Sequence, residues 1–325
     1  MTRLLVTGGC GFIGSNFIHY IRKEYPTYHI INLDLLSYAG VRDSVRLYEG
    51  SAGYEFVQGN ITDVSLVESL ASRVDAIVHF AAETHVDRSI IDSTNFVQTN
   101  VVGTQILLDA ARRHKLRFHH ISTDEVFGSL TDNSPLFNEK TPYDPRSPYS
   151  ASKAASDHIV RSYVHTHDLF ATITNCSNNY GPYQYPEKLH SLFITNLLEG
   201  RKLPIYGEGL QIRDWLFVDD HCRAIDLVLH RGKKGETYCV GGGVEKRNID
   251  IARSLLKLTG LDEEYIEFVP DRKGHDFRYA VDFSKISQEL GWYPEVSFDE
   301  GMQRTFDWYK DNIAWWKKLK DKSFV

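Results

Sequence analysis

Tyr149 and Lys153 stand four residues apart in Tyr149-Ser-Ala-Ser-Lys153, directly after Ser147-Pro148, a helix-start signal with proline in the first turn. On a helix they share one face. A lysine ammonium on that face favours tyrosinate, and a phenol so assisted can work as a base near neutral pH. The pair is weak evidence by itself, because 18 tyrosines make about one such spacing expected by chance. Thr123-Asp124-Glu125 gives it company. These residues follow the apolar run 118–122, which puts two adjacent carboxyls at the C-terminal end of a strand, where ligands of open α/β sheets bind. In solvent such a pair is an ordinary loop feature. Enclosed beside Tyr149, the two carboxyls would be pushed to different pKa values, giving one acid and one base.

Gly8-Gly-Cys-Gly11-Phe12-Ile13-Gly14 lies between the apolar run 4–7 and residues 12–20, whose apolar positions recur at helical spacing. The missing side chains permit a tight turn, let a dinucleotide pyrophosphate approach the N–H groups of the helix N-terminus, and bring the helix close to the sheet. The spacing differs from GxGxxG, and such glycines can equally make a plain strand-to-helix turn. Asp34 adds the second half of a fingerprint. It closes the run 29–33, 20 residues after Gly14, where a carboxylate accepts hydrogen bonds from an adenosine ribose. An acid there repels the extra phosphate of NADP, and Leu35-Leu36-Ser37 offers no Arg to counter it, so NAD is the expected cofactor. The positive nicotinamide of oxidised NAD would add to the Lys153 charge in favouring tyrosinate.

The elements that must position these groups follow from alternation. Strand-like runs at 54–58, 76–81, 118–122 and 172–175 are separated by helical segments at 65–71 and 99–113. This predicts an α/β fold with a doubly wound parallel sheet, Rossmann-like, over residues 1–177. Beyond about residue 178 the pattern changes to long polar and aromatic loops, with Gly-Pro-Tyr at 181–183 and Gly-Glu-Gly at 207–209. Residues 178–325 are therefore expected to form mainly a smaller, discontinuous substrate domain. A strand at 215–218 and a helix at 219–230 read as a return to the first domain, within 213–240.

Composition sets the outer limits. The 325 residues are 42% hydrophobic and 25% charged, a folded chain with core enough for two domains. With 37 Lys+Arg against 43 Asp+Glu the net charge of -6 repels nucleic acid, so an anionic ligand needs a local cationic cluster. No apolar run approaches the roughly 20 residues that cross a bilayer, and no signal peptide is evident, which places the chain in the cytoplasm. Cys10, Cys176, Cys222 and Cys239 are scattered without CxxC pairing, as expected of reduced structural thiols with neither disulfide nor metal.

Taken together, these segments resemble the extended short-chain dehydrogenase/reductases along essentially the whole chain, and most closely the branch that dehydrates dTDP-glucose. The resemblance rests on Val6–Gly14, Ala81-Ala82-Glu-Thr84-His-Val-Asp-Arg-Ser89, Ser122–Gly128, Tyr149–Lys153, Asn179-Tyr-Gly-Pro-Tyr-Gln-Tyr-Pro-Glu-Lys188-Leu189, Arg213-Asp-Trp215 and Asp271-Arg272-Lys-Gly-His275-Asp-Phe-Arg-Tyr279. The Thr-Asp-Glu triplet and the last segment are the most specific to that branch. The resemblance implies an internal redox cycle of the kind used in deoxysugar (rhamnose-type) biosynthesis. Tyr149, assisted by Thr123, would take the 4-hydroxyl proton while hydride passes from C4 to NAD. Glu125 would then remove the C5 proton, now acidified by the 4-ketone, while protonated Asp124 donates to the departing 6-hydroxyl. Hydride returns to C6 and a proton to C5, leaving a 4-keto-6-deoxy sugar.

The same resemblance implies that Asn60, Ile61, Ala81, Ala82, Thr99 and Asn179 join the glycine turn, Asp34, Tyr149 and Lys153 around NAD. It places Lys188, Arg213 and Arg272 on the substrate diphosphate, Asn178, Leu189, Asn248, His275 and Tyr279 around the nucleotide, and Thr84 near the sugar. Lys273, where proline is usual, and Leu35, where lysine is common, depart from the pattern. A homodimer through helices at about 99–113 and 150–165 is also implied. A nucleotide-sugar 4-epimerase would keep the glycines, Tyr149 and Lys153, but has no use for an acid and base at C5 and C6. A non-catalytic NAD sensor could dispense with the Tyr-Lys pair. Sibling dehydratases of GDP-mannose, CDP-glucose or UDP-glucose share the reaction, which leaves the base of the nucleotide open.

Overall fold

Short, almost wholly apolar runs with helices between them can bury both faces only as parallel strands, and that is their arrangement. The computed structural model describes residues 2–271 and 276–320. Its strands are β1 (Arg3–Thr7), β2 (His29–Asp34), β3 (Tyr54–Gln58), β4 (Ala76–His79), β5 (Arg117–Thr123), β6 (Ala171–Cys176), β7 (Asn178–Tyr180), β8 (Leu203–Tyr206), β9 (Ile212–Phe217), β10 (Thr237–Val240), β11 (Glu245–Arg247), β12 (Ile266–Val269) and β13 (Arg278–Tyr279). Seven of them form one parallel sheet in the order β10-β6-β5-β4-β1-β2-β3. The order reverses between β1 and β4, which opens a crevice at their carboxyl ends. Helices 64–71, 104–114 and 148–167 cover one face through Val67, Leu70, Leu107, Leu108 and Val160. Helices 12–24 and 218–231 cover the other through Phe17, Ile18, Ile21, Ile225 and Leu229.

Two helices carry most of the site. Pro148–His167 starts where its sequence says it should. Ser147 accepts a hydrogen bond from the Ser150 N–H, Ser150 Oγ accepts one from the Ser147 N–H, and Pro148 occupies the first turn. The helix expected at 99–113 is a composite of Thr94–Phe96, a π-helical stretch Val97–Gly103 and Thr104–His114. Its wide turn has a cause outside its own sequence. Buried Asn100 accepts from the Glu83 N–H and donates to the Glu83 carbonyl and to Ser152 Oγ, which ties the turn to the loop after β4 and to the helix of Tyr149.

The second lobe is helical rather than loop-rich. Leu189–Leu198, Asn248–Thr259, Phe298–Asp311 and Ile313–Lys320 enclose Phe193, Trp215, Leu255, Tyr309 and Trp316. The aromatics that suggested loops are the core of this lobe, spread among several short elements. The strand read at 215–218 is β9, and it pairs with β7, β11 and β13 in a separate four-stranded sheet. Trp215 and Phe217 draw it into the second lobe's core, and the main sheet is rejoined by the helix Val218–Arg231 and by β10, parallel to β6. None of the described helices is long and apolar enough to cross a membrane, and the four cysteines are buried and free.

Candidate active site

One cleft runs along the carboxyl edge of the parallel sheet. All the residues expected around the dinucleotide line it: Gly8, Gly11, Phe12, Ile13, Gly14, Asp34, Asn60, Ile61, Ala81, Ala82, Thr99, Tyr149, Lys153 and Asn179. The glycines leave room that no other residue would. A Cβ on Gly14 would meet the Gly8 carbonyl oxygen at 2.4 Å, and Gly8 has φ +73°, with its Cβ position 2.6 Å from the Ala81 nitrogen. The helix Phe12–Glu24 begins at Gly11 with no side-chain cap and no acid in its first turn, so its free N–H groups and positive dipole end face the cleft. Asp34 closes β2 and is nearly buried, accepting from the Cys10 N–H at 2.8 Å and the Leu36 N–H at 2.7 Å. Burial raises its pKa and these two bonds oppose the rise, while each oxygen keeps a lone pair for a ribose hydroxyl. Pyrophosphate space, amide donors and an acid in register fit an NAD-type dinucleotide.

The acid-base groups lie at the far end of the same cleft. β5 ends at Thr123, and a single 3₁₀ turn, Asp124–Phe127, follows it. Thr123 Oγ1 accepts from the Glu125 N–H and donates to Asp124 Oδ1, both at 3.2 Å. Asp124 is 2% exposed, and its Oδ2 has no hydrogen-bond partner. Burial, then the Glu125 and Asp214 charges, hold its pKa well above the ordinary carboxyl range, with Arg213 pulling the other way. Of the two carboxyls it is the one that its surroundings push toward the protonated form. Tyr149 is buried beside it, and burial together with Glu125 keeps the phenol protonated, opposed by the hydrogen bond from Thr123. Lys153 does not produce the expected lowering in the protein alone. Its Nζ donates to the Ile121 carbonyl at 2.7 Å, and burial, then Glu125, dominate at the phenol.

The substrate-side residues divide. Thr84, Thr123, Asn178 and Lys188 line the same cleft, with Lys188 Nζ donating to the Thr84 carbonyl at 3.4 Å. Leu189 starts the next helix. Arg213, Asn248 and Tyr279 lie off the cleft lining, on β9, at the start of Asn248–Thr259 and on β13. The Arg213 guanidinium stacks 4.3 Å over the Tyr279 ring and donates to the Ile212, Phe277 and Asp276 carbonyls. Arg213 acts electrostatically on Asp124, and Glu125 on Tyr279, which places this pair against the carboxyls. Arg272, Lys273 and His275 lie outside the described residues.

Comparison with known proteins follows this geometry. The sequence profile of the family described as GDP-mannose 4,6 dehydratase matches residues 5–305. A dTDP-glucose 4,6-dehydratase from Mycolicibacterium smegmatis is 51% identical over 321 residues, covering 98% of this chain and 96% of that protein. The chain belongs to the dTDP-glucose 4,6-dehydratase family. Among solved structures, a dTDP-glucose 4,6-dehydratase from Streptomyces venezuelae crystallised with NAD superposes with a TM-score of 0.94 at 49% identity, covering 98% and 99% of the two chains. Another, from Bacillus anthracis in complex with NAD, gives 0.92 at 46%, covering 98% and 100%.

Within this dehydratase fold, sequence reasoning overlooked two groups. Asp214, next to Arg213 on β9, is buried, accepts from the Val244 N–H at 3.0 Å and has its pKa raised to about 6 by burial. It carried a signal, since a buried strand rarely holds Arg-Asp without a purpose. Glu187 accepts from Tyr38 Oη at 3.0 Å and lies 3.7 Å from His85 Nε2, joining three chain-distant loops at the cleft mouth. No local spacing could have announced that contact.

Proposed function

We propose that this chain is an NAD-dependent hydro-lyase that converts dTDP-glucose to dTDP-4-keto-6-deoxyglucose. The observation that carries this reading is the enclosure of Asp124, whose pKa burial raises well above the ordinary carboxyl range, beside Glu125 in the cleft that also holds Tyr149. A 4-epimerase has no use for that second acid and base. NAD held in this cleft would supply the hydride chemistry, taking hydride from C4 and returning it to C6. Tyr149, as the phenolate that the positive nicotinamide of bound NAD would favour together with Lys153, takes the 4-hydroxyl proton, aided by the Thr123 hydroxyl. Glu125 removes the C5 proton, and Asp124, neutral before the step, gives its proton to the departing 6-hydroxyl.

Gly8, Gly11, Phe12, Ile13 and Gly14 cradle the cofactor pyrophosphate, Asp34 its adenosine ribose, and Asn60, Ile61, Ala81, Ala82, Thr99 and Asn179 the remaining walls. Lys188 and Arg213 serve the substrate diphosphate together with Arg272, and His275 joins the nucleotide side, the last two assigned from the sequence segment alone. Asn178, Leu189, Asn248 and Tyr279 receive the nucleotide, and Thr84 the sugar. Residues 1–177 with the 213–240 return then serve the cofactor and the rest of the chain the substrate, although β9 packs with the second lobe. Half-buried Val102, Ile106, Ala155 and Ile159 on the paired helices 97–114 and 148–167 support a homodimer through that face. The buried free thiols fit the cytoplasm.

A product assay with dTDP-, UDP-, CDP- and GDP-linked hexoses tests the reading. A 4-keto-6-deoxy product from dTDP-glucose is expected. A C4 epimer, or turnover confined to another base, overturns it.

A further inference from the structure

The proposed chemistry uses a charged Lys153, and this lysine is almost wholly buried in the cleft wall. It is 4% exposed, and its Nζ donates to the Ile121 carbonyl at 2.7 Å and lies 3.4 Å from His120 Nε2. Neither partner carries a negative charge, and a buried ammonium keeps its proton only against a counter-ion. Asp157, one turn further along the same helix, meets that need. It is fully buried, and one of its oxygens, Oδ2, accepts from Ser122 Oγ at 2.9 Å, Tyr143 Oη at 2.8 Å and Asn175 Nδ2 at 3.2 Å. Three donors on one oxygen favour the ionised form. The other oxygen, Oδ1, has no hydrogen bond and lies 3.3 Å from His120 Nε2. His120 is thus wedged between carboxylate and ammonium, with Ser156 Oγ also 3.2 Å from its Nε2.

We propose that Asp157, acting across His120, is the internal counter-ion that holds the Lys153 charge in place beside Tyr149, and so is a positioning residue for the reaction. The inference rests on the functional reading above. The other groups around the lysine do not substitute for Asp157. From β4 and β5, His79 and His119 are buried and pushed well toward the neutral form by burial. Cys176 on β6 is held as a thiol by burial, and Tyr149 on the same helix stays protonated. Asp124 from the 3₁₀ turn is pushed by burial toward its neutral form, while its neighbour Glu125 acts on Tyr149. Arg161, two turns on, is cationic and bound to Tyr143, and Asp109 from the adjacent helix is bound to Tyr163. Burial lowers the Lys153 pKa to about 8 with Asp157 as its main upward influence, and His120 is lowered to about 4 by burial and so stays neutral.

The sign of the effect follows. Lys153 acts as the ammonium, so its contribution is present below its pKa and lost as pH rises through it. Replacing the Asp157 carboxylate moves that loss to lower pH. The test is the rate of bound-NAD reduction in a single turnover of the purified holoenzyme with dTDP-glucose, from pH 6 to 9.5. In Asp157→Asn the basic limb is expected to move down by about one pH unit or more, while Asp157→Glu keeps the limb near that of the wild type. A fall by the same factor at every pH, or an unmoved limb, overturns the proposal, since a merely structural role would do that. Where Asp157→Asn does not retain NAD, His120→Asn decides: a smaller downward shift supports the coupling, and an unmoved limb overturns it. Wild-type holoenzyme that fails to reduce its NAD with any sugar nucleotide refutes the functional reading, and this proposal with it.

Discussion

A carboxyl that is enclosed beside a second carboxyl resists ionisation, and Asp124 meets both conditions, whereas Glu125 next to it is only partly covered. That inequality divides the chemistry. Tyr149→Phe removes the base of the first oxidation, so cofactor reduction and product should fall together, by roughly 10²–10⁴-fold. Glu125→Gln should still reduce bound NAD at a measurable rate and stall before water is lost. Single-turnover absorbance of reduced nicotinamide, read beside deuterium exchange at C5, separates the two. Loss of reduction in Glu125→Gln as complete as in Tyr149→Phe, or undiminished C5 exchange in Glu125→Gln, would overturn the assigned roles. Asp214 gives a second prediction from its own linkage. Its folded pKa, about 6 against an ordinary 3.8, is raised, so its stabilising effect is complete below pH 3.8 and is lost as pH rises through 6. Asp214→Asn, which keeps a carbonyl for the Val244 N–H, should therefore stabilise the fold at pH 8 by on the order of 3 kcal/mol and hardly at pH 4. Urea unfolding at the two pH values measures it, and equal effects would contradict the buried-charge account. The types of the candidate acid-base residues were legible in sequence, because Thr123-Asp124-Glu125 and Tyr149-x-x-x-Lys153 lie in adjacent or helical spacing. What covers each of them was not, since Arg213 and Asp214 reach the carboxyls from a strand about 90 residues away in sequence.

Elements with a local cause were read closely, and those with a distant cause were missed. Ser147-Pro148 fixes the start of the Tyr149 helix through the reciprocal bonds of Ser147 and Ser150, all within four residues. The π-helical stretch Val97–Gly103 depends instead on Asn100 meeting Glu83 and Ser152, and nothing in its own sequence records those partners. β9 joins a sheet of its own, apart from the main one, for the same reason: its apolar residues satisfy a strand pattern in either lobe. The glycine turn belongs to the local class, and it yields a prediction at this scale. A methyl on Gly14 would be 2.4 Å from the Gly8 carbonyl and 2.9 Å from the Gly9 Cα, both backbone atoms that cannot swing aside. Gly14→Ala should therefore push the helix Phe12–Glu24 off the turn and lose at least tenfold in NAD affinity. Cofactor released on denaturation and quantified by absorbance checks this. Wild-type NAD content in that variant would show that the cradle does not need the missing side chain.

At the scale of the whole molecule, the two lobes are tied across the cleft by contacts that no single segment encodes. Tyr38 from the loop after β2 holds Glu187, Tyr185 Oη donates to the Leu319 carbonyl at 3.3 Å, and Asn16 from the first helix donates to the Pro182 carbonyl at 2.9 Å. The loop 181–188 is thereby fastened to both the cofactor half and the last helix, and it covers a cleft whose lining reaches from Asp34 to Lys188. This closure bears on whether the reaction is a redox reaction or a dehydration overall. Oxidation at C4, elimination and reduction at C6 all have to occur before the sugar leaves, because the hydride taken in the first step is the one spent in the last. A cleft fastened at its mouth from both sides keeps the intermediate beside the same cofactor for all three steps. The expected outcome is that added NAD is not consumed during turnover: reduced nicotinamide rises only to a small fraction of the enzyme concentration and stays there while product grows linearly. Simultaneous absorbance and product assays over many turnovers measure it. Tyr38→Phe and Glu187→Gln, which loosen the mouth without touching the carboxyls, should raise the fraction of turnovers that leave reduced cofactor behind, detectable as slow inactivation reversed by fresh NAD. Steady accumulation of NADH in step with product in the wild type would make this an ordinary dehydrogenase, and no arrangement of Asp124 and Glu125 would then account for the products.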